Sequence, residues 1–357
     1  MRYNRPINLN NNKGDQVPDN SIKYEEPVDI FEPMIEGKHK FFGEKIYPAH
    51  TIILTDGTLE KDHPFTDRVK VYRGLSGNAM TMINKYPSMA RVIDPEIEKH
   101  IIRTIQFNDP NSKIAKGVST LTLPKTYYER LEDMNTEDLR DLFLSMNASI
   151  KYVTRVASDE KGLSYIPIAP FFNLGKYVGG SQKRVHIQVY FDLNEDGHGS
   201  RLESILKAFE LMKNKAQCHL CNSRHGEGRR IILENDYWIV FASGSPIRNH
   251  HLRFAPREYF ENLFDLPRSH IYSLAKVLKV LMSALNDLGV NPNRNIIFNT
   301  KPFGYEKSYF HLFGDILPYE YIGGAEMMDD MRVVRESPNV IASKLRIIIK
   351  DKYSDEL

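Results

Sequence analysis

The feature that most restricts how this chain can fold is a set of three motifs that occurs twice in the same order. LPKTYYERLEDMN (Leu123–Asn135) and APREYFENLFDLP (Ala255–Pro267) share a Pro, a basic residue, an aromatic pair, a Glu and a Leu in register. Each follows a stretch of strand character and precedes a long helical one. After each helix comes a second pair, FFNLG (Phe171–Gly175) against IFNTK (Ile297–Lys301). Upstream, INKYP (Ile83–Pro87) faces ENDYW (Glu234–Trp238). The copies lie roughly 130 to 150 residues apart, and chance similarity of strand–turn–helix units would not preserve the order of three motifs. Internal duplication is the simplest reading.

The intervening segments fit two like halves. GVSTLTLP (Gly117–Pro124) and VHIQVYFDL (Val185–Leu193) are rich in β-branched and aromatic residues and read as strands. Asp138–Ala157 is an amphipathic helix with Thr136 placed as its cap, and Ile271–Gly289 is a second helix stopped by Gly289. Residues 1–45 are polar and aperiodic, a tail leading into an extended arm. The halves are then 46–205 and 206–357, and 357 residues is comfortable for two units of ordinary size.

Composition excludes several classes. A net charge of +2 implies no polyanion partner, and the basic run Gly226–Arg230 lacks interleaved aromatics, so nucleic acid is not expected. No stretch is apolar for long enough to cross a bilayer, and the first residues lack the apolar core of a signal peptide. The two cysteines, Cys218 and Cys221, stand too close for an ordinary structural disulfide. A reducing cytoplasm is the expected compartment, with the final SDEL a coincidence.

The chemistry concentrates in NLGKYVGGSQKRVHIQVYFD (Asn173–Asp192). The turn Gly179-Gly180-Ser181 exposes backbone N–H groups that can line a phosphate, because no side chain blocks the approach. Lys183 and Arg184 supply charge beside it. On a strand, His186 and Gln188 share one face, so a nucleophile and an amide donor would reach one phosphorus atom together.

This segment resembles that of the galactose-1-phosphate uridylyltransferases of the histidine-triad superfamily. Those enzymes carry Asn-x-Gly, then Gly-x-Ser, then His-Pro-His-x-Gln. Here the chain reads Asn173-Leu174-Gly175, Gly179-Gly180-Ser181 and Arg184-Val185-His186-Ile187-Gln188. The resemblance implies that His186 becomes nucleotidylated, with Gln188, Ser181 and Asn173 on the phosphates. The family's first His, commonly a metal ligand beside a CxxC, is Arg184 here, and the first half has no cysteine. That half therefore reads as metal-free, with Arg184 bracing the site.

The second half shows the complementary split. Cys218 and Cys221 stand where the family's CxxC stands, and SYFHLFGDILP (Ser308–Pro318) resembles the family's second histidine stretch, with His311 for the first His and Phe313 for the second. A structural zinc is implied, since thiolate and imidazole suit it. The family's remaining ligand falls at Glu258 or Tyr259, and Glu258 is the choice by chemistry. His225 and the His250–His251 pair compete. Gly323–Pro338 resembles the hexose-holding segment, with Glu326 for an acidic residue that binds sugar hydroxyls and Arg332 in place of a Gln.

Taken together, the resemblance implies an α+β fold of two histidine-triad-like half-domains with antiparallel sheets and packed helices, assembled as a homodimer. The activity implied is transfer of a nucleoside monophosphate from a UDP-hexose type donor to a sugar phosphate through nucleotidyl-histidine. A phosphorylase of nucleotide sugars or dinucleoside polyphosphates is the near alternative. A non-catalytic nucleotide-binding protein is the alternative from another class.

Overall fold

In a computed structural model of the chain, residues 2–3, 51–53, 59–61, 77–84, 113–114, 117–194, 198–212, 218, 220, 228–329 and 332–357 are described. The tail expected at 1–45 falls outside them apart from Arg2 and Tyr3, and so do Cys221 and His225.

Nine strands make one sheet: β1 (Ala79–Ile83), β2 (Gly117–Pro124), β3 (Ile168–Leu174), β4 (Ile187–Asp192), β5 (Ile231–Glu234), β6 (Trp238–Ala242), β7 (Leu252–Pro256), β8 (Arg294–Asn299) and β9 (Phe313–Pro318). Their spatial order is β1-β2-β4-β3-β8-β9-β7-β6-β5, with every neighbour antiparallel. Outward from the β3–β8 pair, each direction meets the same succession. One way it is β3, β4, β2, β1, and the other way β8, β9, β7, β6, with β5 as an added edge. The duplication is thus written into the topology of an α+β fold, and a single seam joins its halves.

Alternation along each strand decides which side chains meet the helices. Helices α1 (Thr136–Lys161), α3 (Arg268–Asp287) and α5 (Pro338–Lys352) contribute to one core with Val118, Phe172, Ile187, Val189, Phe191, Phe254 and Phe298. Phe143 of α1 meets Phe172 and Phe298 edge-on at 6.1 and 5.7 Å, and Phe298 meets Phe254 at 5.7 Å. This run of rings crosses the seam, so both halves share the core. Some polar side chains in this layer pair with one another, as in the Thr81 hydroxyl 2.9 Å from those of both Thr122 and Ser145.

On the opposite face, among the described residues, the halves differ. Helix α2 (Ser200–Leu211) covers the second half, packing Leu206 and Phe209 with Ile239, Phe241, Phe310 and Phe313. The division expected at 205/206 lies inside this helix. No helix among the described residues is long and apolar enough to cross a membrane.

Two expectations shift. Thr136 is the first residue of α1, and Asn135 occupies the cap position with extended backbone. Gly289 does follow α3, at φ 78°. The INKYP–ENDYW match is out of register, because Ala79 pairs with Pro124 just as Trp238 pairs with Pro256. Trp238 opens β6 whereas Ile83 closes β1, so these two residues do not occupy equivalent places in the sheet. The matches around Pro124 and Phe171 hold in register.

Candidate active site

Strand parity sends Ile187, Val189 and Phe191 into the helical core and turns His186 and Gln188 to the other face. His186 is 5% exposed. Its Nδ1 lies 2.8 Å from the Arg184 carbonyl oxygen. A carbonyl can only accept, so Nδ1 carries a hydrogen, and in the neutral ring the lone pair is left on Nε2. Burial holds the ring below the ordinary imidazole pKa, and the bond to Arg184 opposes this more weakly. Gln188 Nε2 sits 3.4 Å from His186 Nε2, so an amide donor stands beside the lone pair.

The glycine turn follows β3 directly. Gly175 and Gly179 have φ of 100° and 91°, values that L side chains rarely adopt. Gly180 donates its N–H to Gly175 O at 3.0 Å. A Cβ on Gly180 would come within 2.6 Å of Asn173 O and 2.7 Å of Gly175 O, so only glycine fits. Ser181 and Lys183 are exposed beyond the turn.

Asn173 is oriented by the other half of the molecule. Asn295 on β8 donates to Asn173 Oδ1 at 2.8 Å and to Val178 O at 3.0 Å. Asn173 Nδ2 then points to Gly179 O, 3.4 Å away. Arg248 in turn donates to Asn295 Oδ1 at 3.4 Å. Asn295 and Arg248 escaped sequence reasoning because their only signal is the Asn173–Asn295 pairing across the seam.

Arg184, expected against the substrate's phosphates, is instead 1% exposed. Its Nη1 donates to Pro124 O at 3.0 Å and Lys125 O at 3.2 Å, and its guanidinium lies 5.0 Å from the centre of the Tyr127 ring. It braces the protein from within. A buried guanidinium needs such acceptors to offset its lost hydration.

In the second half, the structure brings Cys218 and His311 together. Cys218 is fully buried, and its Sγ lies 3.5 Å from His311 Nδ1. His311 Nε2 donates to Pro256 O at 3.2 Å, which leaves Nδ1 as the lone-pair nitrogen facing sulfur. Burial lowers the ring's pKa to about 4, against the pull of the Pro256 bond, so it stays neutral as a ligand must. Donor type and tautomer both fit zinc, although among the described residues no three His, Cys, Asp or Glu side chains converge.

Glu258 does not complete the set. Its side chain is 69% exposed and lies 3.8 Å from His270 on α3. Tyr259, one residue on and so of opposite parity, faces His311 with ring centroids 5.6 Å apart. The His250–His251 pair is also elsewhere, 3.9 Å from Glu336 and 2.9 Å from Asp315 respectively.

Asp315 occupies in the second half the place of Gln188 in the first. Gln188 pairs with Leu121 and Phe171, and Asp315 with Arg253 and Ile297. Four donors surround this carboxylate: Arg253 Nε at 2.7 Å and His251 Nε2 at 2.9 Å on one oxygen, Arg201 Nη2 at 2.6 Å and Asn299 Nδ2 at 3.2 Å on the other. Burial pushes its pKa up, but His251 and Arg253 outweigh that and hold it far below the ordinary range.

Glu326 lies on the short helix α4 (Gly324–Asp329) and accepts from Gly323 N at 2.7 Å and Val333 N at 3.2 Å. These two backbone bonds lower its pKa, so the carboxylate fastens its own loop. Arg332 is exposed nearby.

No protein-family model and no curated protein matches the chain. Solved structures do. A uridylyltransferase aligns with a TM-score of 0.64 at 19% identity, covering 78% of this chain and 86% of the other. A GALT-like protein of Arabidopsis thaliana aligns at 0.59 and 18%, covering 75% and 83%. An ADP-glucose phosphorylase of Arabidopsis thaliana, solved with bound ADP-glucose, gives 0.59 and 18% over 75% and 82%. The resemblance to the galactose-1-phosphate uridylyltransferases is therefore carried by the fold over most of the chain.

Proposed function

We propose that the chain is a nucleotidyltransferase acting on nucleotide sugars, with His186 Nε2 as the nucleophile. The observation that carries this reading is the neutral, buried His186, whose tautomer is set by a backbone carbonyl so that the lone pair points away from it. The fold shared with a uridylyltransferase and an ADP-glucose phosphorylase supports the substrate class.

Nε2 attacks the α-phosphorus of a nucleoside diphosphate sugar, and a P–N bond forms as the bond to the sugar phosphate breaks. The leaving sugar 1-phosphate keeps that electron pair. An oxygen of a second sugar phosphate then attacks the phosphorus, restoring the free imidazole and releasing a new nucleotide sugar. Gln188 and the N–H groups of the turn around Gly179 and Gly180 stabilise the phosphoryl oxygens. Asn173, held by Asn295, adds a donor, and Ser181 and Lys183 meet the outer phosphate. Glu326 and Arg332 lie on the segment assigned to the sugar, Glu326 as the fastener of that loop. In the second half, Cys218, Cys221 and His311 would hold a zinc ion, which would supply cross-linking stability rather than chemistry. The protein works as a homodimer in the cytoplasm.

Intact-protein mass spectrometry after mixing with UDP-glucose, GDP-glucose, ADP-glucose or diadenosine tetraphosphate tests the reading. A nucleoside monophosphate adduct is expected in wild type and not in His186→Ala, and its mass names the base. Nucleotide binding without an adduct from any donor would sink the covalent mechanism.

A further inference from the structure

The registers that superpose Gln188 on Asp315 also superpose the residues around them. Leu121 stands three residues before Pro124, and Arg253 three before Pro256. Counting along the chain, His186 matches Phe313, Arg184 matches His311 and Tyr127 matches Tyr259. The same spot is then built in two ways. In the second half, His311 donates to Pro256 O at 3.2 Å, with Tyr259 against its ring and Cys218 sulfur at its other nitrogen. In the first half, Arg184 donates to Pro124 O at 3.0 Å, with Tyr127 over the guanidinium. The carbonyl and the aromatic partner are retained, while a neutral imidazole beside sulfur becomes a permanently charged fork.

One residue therefore holds two structures at once. The side chain of Arg184 is tied to the end of β2 through Pro124 and Lys125, and its backbone carbonyl accepts the Nδ1 hydrogen of His186. A shift of that carbonyl would free the ring to turn and to exchange its tautomer, which takes the lone pair off Nε2. We propose that Arg184 is a positioning residue, an internal cation that fixes the carbonyl selecting the reactive tautomer of His186. Like His311 in the second half, it ties its segment to the equivalent proline carbonyl, with a guanidinium in place of an imidazole. The inference rests on the reading of His186 as nucleophile, and Arg184 itself touches no substrate.

The test compares full-length wild type with Arg184→Lys and Arg184→Met. Nitrogen-15 imidazole NMR reads the His186 tautomer, and intact mass reads the rate of adduct formation across donor concentrations. Arg184→Met is expected to lose the fixed Nδ1–H tautomer and to slow the adduct step on the order of 100-fold with little change in half-saturating donor. Added guanidinium ion restores part of the rate, and Arg184→Lys, which keeps the charge and one donor, falls between. If Arg184→Met does not fold, Arg184→Lys decides alone, since a residue that merely fills space would leave the tautomer of this variant like wild type. Unchanged tautomer and rate overturn the proposal. A changed tautomer in a chain whose wild type forms no adduct sinks the nucleotidyl reading and keeps the positioning role.

Discussion

Replacing Asp315 by Asn removes one charge and almost no volume, yet the structure makes it costly. All four neighbours of the carboxylate are donors. His251 belongs among them because its Nδ1 already accepts from Ile247 N at 3.3 Å, so Nε2 carries the hydrogen. An asparagine offers one oxygen, and its NH2 must face at least one donor pair whichever way it turns. His251 and Asp315 are both 2% exposed or less, so water cannot fill the gap. Removing one partner of such a buried arrangement costs about 3–5 kcal/mol. Entropy of unfolding near 2.1 cal/mol/K per residue over a chain of this length makes that roughly a 4–7 °C fall in Tm. Arg201→Ala acts on the same carboxylate, but the Arg201 side chain is 42% exposed, so water replaces it and the cost stays under about 1 kcal/mol. Thermal unfolding of both variants at pH 7, followed by circular dichroism, gives the comparison. A fall for Arg201→Ala that equals or exceeds the one for Asp315→Asn would refute the reasoning, because exposure rather than charge is what separates them.

Other outcomes follow from the same structure. Because burial lowers the His186 pKa, the neutral nucleophile persists below pH 6.5, and the acid limb of adduct formation lies under that value; a limb at 7 or above contradicts it. His270 is 5% exposed, and its Nε2 has no hydrogen-bond partner; burial lowers its pKa against the weaker pull of Glu258 3.8 Å away, so it binds its proton less readily folded than unfolded. Stability is then complete above about pH 6.5 and declines as pH falls from there toward the folded value; His270→Phe should flatten that part of a Tm–pH curve. Gly180→Ala drives a Cβ onto two carbonyls and should cut adduct formation on the order of 100-fold, with circular dichroism like wild type. Zinc measured by plasma mass spectrometry should be lost from Cys218→Ser and His311→Ala but retained in Glu258→Gln; retention in Cys218→Ser would remove the metal reading.

What the residues revealed in advance was local, and what they hid depends on pairing. β2 was readable to its ends, since Gly117–Pro124 is a β-rich run bounded by turn residues. The helix around Asp138–Ala157 was placed but begins at Thr136 and continues to Lys161, because helical periodicity fades into a polar last turn before Gly162 at φ 66° stops it. The face shared by His186 and Gln188 follows from parity alone. Glu258 against Tyr259 could not be settled, because a one-residue shift after Pro256 reverses parity and only the fold fixes it. The INKYP match failed for the same reason, as similar letters carry no register. Arg184 was expected as charge beside the turn and as a brace, but a sequence does not show which carbonyls receive a guanidinium, here Pro124 O and Lys125 O. The Asp315 cluster was invisible, being drawn from α2, β7, β8, β9 and the residue before β7.

The seam between β3 and β8 makes this chain a natural candidate for being cut in two. All strands of the first half precede all strands of the second, so a break between them severs no strand order, only one connection. Each fragment would then present a raw edge, β3 or β8, with the ring run from Phe143 through Phe172 to Phe298 split open along it. Each edge would expose unpaired backbone groups, and each is the complement of the other. Fragments co-expressed from separate genes should recognise one another and rebuild the Asn173–Asn295 contact, so that phosphate-turn geometry becomes a reporter of reassembly.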